Sequence, residues 1–381
     1  MRSQCRTSSR GFTLIEMMIS LFLGVLVLGV AVQVYSKGME ATWMVSQRAE
    51  LQQDSRASFN ILTKDISLAN AGLSDTPFYT GIALASGGAS NPTFGCDYTG
   101  ACHLGNLNAG SVLFPASSGV NYLFGVVPGW RKGPTINAAA GATDAITVVY
   151  LDTAFLLNNY QIKFNDINGN SVTFQMPAAV PNPVPQAVNN PGVGLQRGDL
   201  VLFQNGTSGA IAEVTAPVGA GAGPYTVSFA NLSPLGFNQN AATSGNLNKT
   251  VIQNNAANVG VFLPSTFTAT RIWLVTYYID NTKPTPTLMR LVNGRLPVPV
   301  AENVADLEFT YNTYDSAGNL LNNTGDGGLT NASPVMPSAI RTINLVHLTM
   351  RSEARGNKGY QAIDLHTSLS ARNMGFVNRY Q

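Results

Sequence analysis

The longest apolar segment comes first. From Met17 to Ser36 the chain runs for twenty residues without a formal charge, dominated by Leu, Val, Met and Ile. As a helix this run spans roughly 30 Å, the thickness of a bilayer's hydrocarbon core. No proline occurs between Phe12 and Thr76, so one helix is expected to continue past the membrane to a limit at Pro77, with Gly24, Gly29 and Gly38 as soft points. Its second half turns amphipathic. Phe59, Leu62, Ile66, Ala69 and Leu73 recur every three or four residues, opposite Asn60, Lys64, Asp65 and Asn70. That stripe is too short for a coiled-coil seam and predicts packing on a sheet of the same chain.

Beyond Pro77 the period shortens. Runs rich in β-branched and aromatic residues alternate with Gly, Asn and Pro, and predict strands. The clearest are "AITVVYL" (Ala145 to Leu151), "YQIKF" and "SVTFQM" around an "NDINGN" turn, "DLVLFQ" (Asp199 to Gln204) and "RIWLVTYYID" (Arg271 to Asp280). Later come "ADLEFTYNTY" (Ala305 to Tyr314), "AIRTINLVHLTMRS" (Ala339 to Ser352) and "YQAIDLHTSL" (Tyr360 to Leu369). "MPAAVPNPVPQAVNNPGVG" (Met176 to Gly194) carries five prolines and reads as an extended surface loop. "NNTGDGGLTNAS" (Asn322 to Ser333) separates two late strands. No internal repeat is found, though the length allows the sheet to divide into two lobes near residue 250.

Composition agrees with an extracytoplasmic, loop-rich β protein. Charged residues are only 11% of 381, against 37 glycines and 20 prolines. The net charge of +2 is spread along the chain, so no field exists to gather nucleic acid. Arg351, Arg355 and Lys358 form a modest basic cluster, read as a solvated rim. Arg2, Arg6 and Arg10 precede the apolar run with no acid among them. The positive-inside bias keeps that end cytoplasmic and sends the body outward.

Little here resembles catalytic chemistry. His103, His347 and His366 share no metal-ligand spacing, and no nucleophile elbow, P-loop or dinucleotide fingerprint appears. No cofactor, metal or enzymatic activity is expected. "DINGN" places Asp166, Asn168 and Asn170 like the start of a calcium loop, but Ser171 and Pro177 stand where that loop needs Gly and Glu, so a hairpin turn is expected. "DSAGN" (Asp315 to Asn319) reads the same way. Cys96 and Cys102 lie close together in "GCDYTGACHLG", and Cys5 lies before the apolar run. In an oxidising compartment the pair would close a disulfide loop; free thiols or a metal site with His103 are the alternatives.

One feature opposes the membrane reading: Glu16 stands at the start of the apolar run. An ionised carboxylate in a bilayer costs on the order of 2.5–3.5 kcal/mol on insertion scales. A short basic leader ends at Gly11, and "GFTLIE" follows. This pattern resembles type IV prepilins. The resemblance implies cleavage between Gly11 and Phe12 by a prepilin peptidase and N-methylation of the new terminus at Phe12. Glu16 then becomes the fifth residue of the mature chain, and the resemblance supplies its partner, the N-terminal amine of a neighbouring subunit. Such a pair about 4 Å apart gives roughly 4 kcal/mol at an effective dielectric near 20, comparable to the insertion cost.

"RIWLVTYYID", "LMRLVNGRLPVPVAENVADLEFTYN", "IRTINLVHLTMRSEAR" and "SLSARNMGF" resemble minor pilins of the PilW type, related to the type II secretion pseudopilin GspJ. The stretch from Pro77 to about Pro264 resembles no named family. The expected fold is α+β and pilin-like: a long N-terminal helix on an antiparallel sheet with large loop insertions. The expected parts are a cleaved leader (1–11), a membrane-spanning half-helix (12–36), an amphipathic half (37–75) and a β-rich body (76–381). The expected role is a minor pilin that helps prime a type IV pilus, located in the inner membrane with a periplasmic body and then in the pilus. Its implied partners are other minor and major pilins, the peptidase and the inner-membrane assembly platform. A secretion pseudopilin and a pilus-tip adhesin are the alternatives.

Overall fold

The computed structural model describes residues 11–73, 78–79, 95–104, 116–117, 120–123, 125–138, 141–205, 208–231, 233–238, 258–314, 318–324, 340–351 and 362–371. The leader up to Arg10, the start of the Asp315–Asn319 turn, Arg355 and Lys358 lie outside them. Among the described residues one α-helix, α1 (Leu14–Ser67), precedes nineteen strands and a short 3-10 turn at Leu157–Asn159. The chain divides into two compact units, Met1–Gln53 and Asp54–Gln381.

The strands in chain order begin with β1 (Phe78–Tyr79), β2 (Ala116–Ser117), β3 (Val120–Leu123), β4 (Val126–Gly129), β5 (Thr135–Asn137) and β6 (Gly141–Ala142). There follow β7 (Ala145–Leu151), β8 (Gln161–Phe164), β9 (Ser171–Gln175), β10 (Leu200–Asn205), β11 (Ser208–Glu213) and β12 (Tyr225–Ser228). The last are β13 (Phe267–Asp280), β14 (Thr287–Val292), β15 (Val298–Glu302), β16 (Val304–Tyr314), β17 (Leu320–Thr324), β18 (Ile340–Arg351) and β19 (Ala362–Ser370).

All pairing between these strands is antiparallel, so the architecture is α+β with one long apolar helix, as expected of a pilin-like chain. The largest sheet has seven strands. Its path is β11-β10-β13-β14-β15, and β7 pairs with both β13 and β4. This sheet draws strands from both sides of residue 250. The fourteen-residue β13 bonds to β10 through its first half, to β7 through its middle and to β14 through its end. A second sheet, β17-β16-β18-β19, is joined to the first through buried Asp144. Asp144 donates its N–H to Leu307 O (2.8 Å) and accepts from Phe309 N–H through Oδ2 (2.9 Å).

Burial explains the unbroken "LVLF" of β10. Val201 and Phe203 enter one core with Phe164, Phe174 and Phe229; Leu200 and Leu202 enter another with Leu274, Tyr278 and Phe237. A strand covered on both faces loses its polar alternation. The first core is capped by the small sheet β12-β9-β8. Its hairpin turn is the expected one, with Asp166 Oδ1 accepting from the N–H groups of Asn168 (2.9 Å) and Asn170 (3.2 Å).

The helix stops at Ser67, short of the expected limit at Pro77. Leu68 and Ala69 make tightened three-residue bonds to Asp65 O and Ile66 O, and Asn70 takes a left-handed φ of 62°. Asn70 N–H then donates to Val149 O (2.7 Å), so β7 captures the chain before another turn can form. Gly125 permits this approach, because a Cβ there would stand 2.4 Å from Asn70 Cβ. The Pro-rich segment is also less free than expected. Tyr160 OH donates to Gln186 O (2.9 Å), and buried Arg271 donates through Nη1 to Val193 O (2.8 Å) and Gly194 O (3.0 Å).

Candidate anchor and assembly site

The N-terminal segment carries the residues on which the sequence reading rests. From Leu14 to Val34 the large apolar side chains are 52–79% exposed. A helix apolar on every side and covered by no protein is built for lipid or for other helices. Its most apolar window has a mean hydropathy of 2.5, long and apolar enough to cross a membrane by length and composition. Gly11 and Phe12 precede the helix, exposed and outside regular secondary structure.

Glu16 is not alone there. Thr13 is the residue before the helix, and its N–H (2.9 Å) and hydroxyl (3.0 Å) both donate to Glu16 Oε2. Glu16 N–H points back at Thr13 Oγ1 at 3.4 Å. This is a capping box: the first-turn carboxylate satisfies donors that an α-helix leaves open. The signal, Thr-x-x-Glu, is legible in the sequence within the same GFTLIE pattern. The box holds Glu16 in one rotamer while leaving it negative, since both partners are neutral. A carboxylate has about four acceptor sites, so it can still take a cation's donors.

Cys96 and Cys102 form a disulfide, which settles the three alternatives for that pair. The bridge closes a short loop seated on the body. Tyr98 N–H donates to Gly294 O (2.6 Å), and the Arg197 guanidinium lies 4.8 Å from the Tyr98 ring centre. His103 Nε2 lies 2.9 Å from Asp97 Oδ2 inside this loop. His347 is a surface residue between strands, with Nδ1 2.8 Å from Asp364 Oδ2. Asp364 is the chief reason its pKa rises. Among the described residues no cluster of His, Cys, Asp or Glu could hold a metal ion.

The other end of α1 corrects the sequence reading. Asp65, placed on the polar face by its spacing, is buried with Leu62 and Ile66. The reason is a set of donors on the sheet. Tyr277 OH (2.6 Å) and Arg290 Nε (2.7 Å) reach Asp65 Oδ2, and Tyr150 OH (3.2 Å) reaches Oδ1. Burial is the largest cause pushing the Tyr150 and Tyr277 hydroxyls up, and the Asp65 charge adds to it, so both remain protonated donors. Arg290 is held above its ordinary value by the same carboxylate, which overcomes its desolvation. Ser55 and Ser58 share the buried face, with Ser58 Oγ 3.9 Å from Met350 Sδ on β18. Small and polar residues here let the helix lie close to the sheets, which apolar periodicity could not reveal.

Residues 6–32 match the prokaryotic N-terminal methylation motif. No curated protein and no solved structure matches the chain. Motif and helix together support a type IV pilin-like or pseudopilin-like protein anchored in a membrane through its N-terminal helix. The motif implies processing by a prepilin peptidase and assembly with other pilins.

Proposed function

We propose that the chain is a minor pilin of a type IV pilus, of the PilW type, acting by assembly and not by catalysis. It waits in the inner membrane with its body in the periplasm, loses its leader after Gly11, and joins other minor and major pilins in a complex that primes the filament and sits at its tip. One observation carries this reading: a carboxylate at the head of a lipid-exposed helix, fixed by Thr13 yet without a cation among its described partners. The freed α-amine of a neighbour, methylated or not, is a cation of the right kind. Pairing in trans would draw each arriving subunit into axial register. The globular sheets would then choose neighbours through their loops and edges.

The test is Gly11→Ala and Glu16→Ala, made separately in the native host, with N-terminal sequencing and pilus counts. The glycine variant should keep its leader. The glutamate variant should be processed but assemble poorly, so that pilus numbers fall. Normal filaments carrying alanine at position 16 would refute the pairing. Loss of protein export with piliation intact would assign the chain to a secretion pseudopilus instead.

A further inference from the structure

The edges of the sheets are unequal. β17 and β15 have five residues each, and β15 carries Pro299; β11 has six, and β8 and β12 have four. Shortness and proline are the usual means of keeping an edge from pairing with another chain. β19 has neither. Its nine residues, "AIDLHTSLS", contain no Pro, Gly or Lys, and among the described residues it pairs only with β18. Its single acid, Asp364, accepts from His347 Nδ1 (2.8 Å) and Thr349 Oγ1 (3.2 Å) of β18 and, with about four acceptor sites on a carboxylate, has capacity left for a donor across the edge. Side chains alternate between exposed (Ala362, Asp364, His366, Ser368, Ser370) and half-buried (Ile363, Leu365, Thr367, Leu369), so one side remains partly apolar.

We infer that β19 is a self-pairing edge: two copies of the chain join β19 to β19 antiparallel about a two-fold axis at Leu365. The sequence itself selects this register. Centred on Leu365, Asp364 of each copy faces His366 of the other on the exposed side, and Ile363 faces Thr367 on the half-buried side. A shift that centres the pair on Asp364 sets carboxylate against carboxylate, and one that centres it on His366 sets imidazole against imidazole. Like charges directly opposite are unfavourable, whereas a carboxylate opposite an imidazole can accept its ring N–H. An intermediate shift mixes apolar with polar side chains on one face. A two-fold pair repeats each favourable contact twice, as an isologous interface must. This surface is independent of Glu16 and of leader processing, so its test stands apart from the pilin assignment.

The experiment is Leu365→Cys in a Cys5→Ser background, which leaves the Cys96–Cys102 bridge as the only other cysteines. Membranes from the native host are oxidised mildly and resolved without reductant. Cross-linking at twice the monomer mass is expected, and the purified full chain with Leu365 intact should be a dimer in detergent. His366→Asp, which opposes carboxylates twice, should reduce the cross-linked fraction about tenfold, whereas His366→Lys should retain it. A Leu365→Cys chain that stays monomeric while its thiol reacts with a maleimide overturns the inference. So does a mixed disulfide with a chain of different mass, which would give the edge to another partner. Equal cross-linking by the Asp and Lys variants would overturn the register.

Discussion

Glu213 is the most informative residue to perturb in the body. It ends β11 with no exposed surface. Oε2 accepts from Leu235 N–H at 3.0 Å, while among the described residues Oε1 has no hydrogen-bond partner. A Cβ on Gly294 would stand 3.1 Å from Oε1, so a larger residue there would press on the carboxyl. Burial pushes its pKa up to about 7, opposed by the Leu235 and Ser233 hydrogen bonds and by the Arg197 charge. The folded protein therefore binds this proton more tightly than the unfolded chain, whose value is 4.5. Stability from this group is complete below pH 4.5, falls as pH rises toward 7 and is lost above it. With about 1.4 kcal/mol per pKa unit, the decline between pH 5 and pH 8 is about 2–3 kcal/mol. Glu213→Gln removes the titration while keeping the shape and the acceptor for Leu235. Any fixed penalty of the amide cancels when the two pH values are compared. Urea unfolding of the full chain in detergent, followed by tryptophan fluorescence, should show the variant gaining about 2–3 kcal/mol on wild type between pH 5 and 8. The same difference at both pH values would refute the buried-carboxyl argument.

Two further substitutions probe the fastenings of the body. Asp65→Asn leaves the Arg290 guanidinium half-buried beside a neutral amide, and removing one partner of a buried pair destabilises by about 3–5 kcal/mol. The urea midpoint should fall accordingly, and Asp65→Asn combined with Arg290→Met should recover a large part of the loss. Replacing both Cys96 and Cys102 by Ser opens a loop with a sequence separation of 6, worth about 2 kcal/mol by chain entropy. Proteolysis near Tyr98 should accelerate, while a stability loss below about 0.5 kcal/mol would mean that the loop's seat on Gly294 already holds it.

Much of this architecture was legible because local pattern and tertiary role coincide. β7 spans the same residues as its apolar run, and the runs that became β8, β9, β10, β13, β16, β18 and β19 shift at their ends by a few residues. The strands that escaped notice have weak local signatures. β11, "SGAIAE", is rich in small residues that disfavour strands alone, and it forms because β10 offers six residues of pairing. The prepilin pattern was legible because a short covalent signal must be readable without a fold. Asp65 and Glu213 were not, because their burial depends on donors distant in sequence: Arg290 for one, Leu235 for the other. Polar residues in an amphipathic pattern are assigned to solvent by default. Only the sheet's own side chains overturn that assignment.

The two acids of α1 make the same point from opposite ends. Each occupies a place where apolar neighbours make charge expensive, yet their partners differ in kind. Asp65 meets Arg290 within its own chain, so its charge is compensated when the body folds, and a neutral replacement should harm folding first. Among the described residues Glu16 bonds to Thr13, which orients it without neutralising it. A membrane-facing carboxylate so held gains from any cation presented at the right depth, and assembly can supply one where folding does not. The expected division of phenotypes follows from that difference: damage at Asp65 lowers stability, whereas damage at Glu16 leaves the body intact and lowers incorporation into the filament.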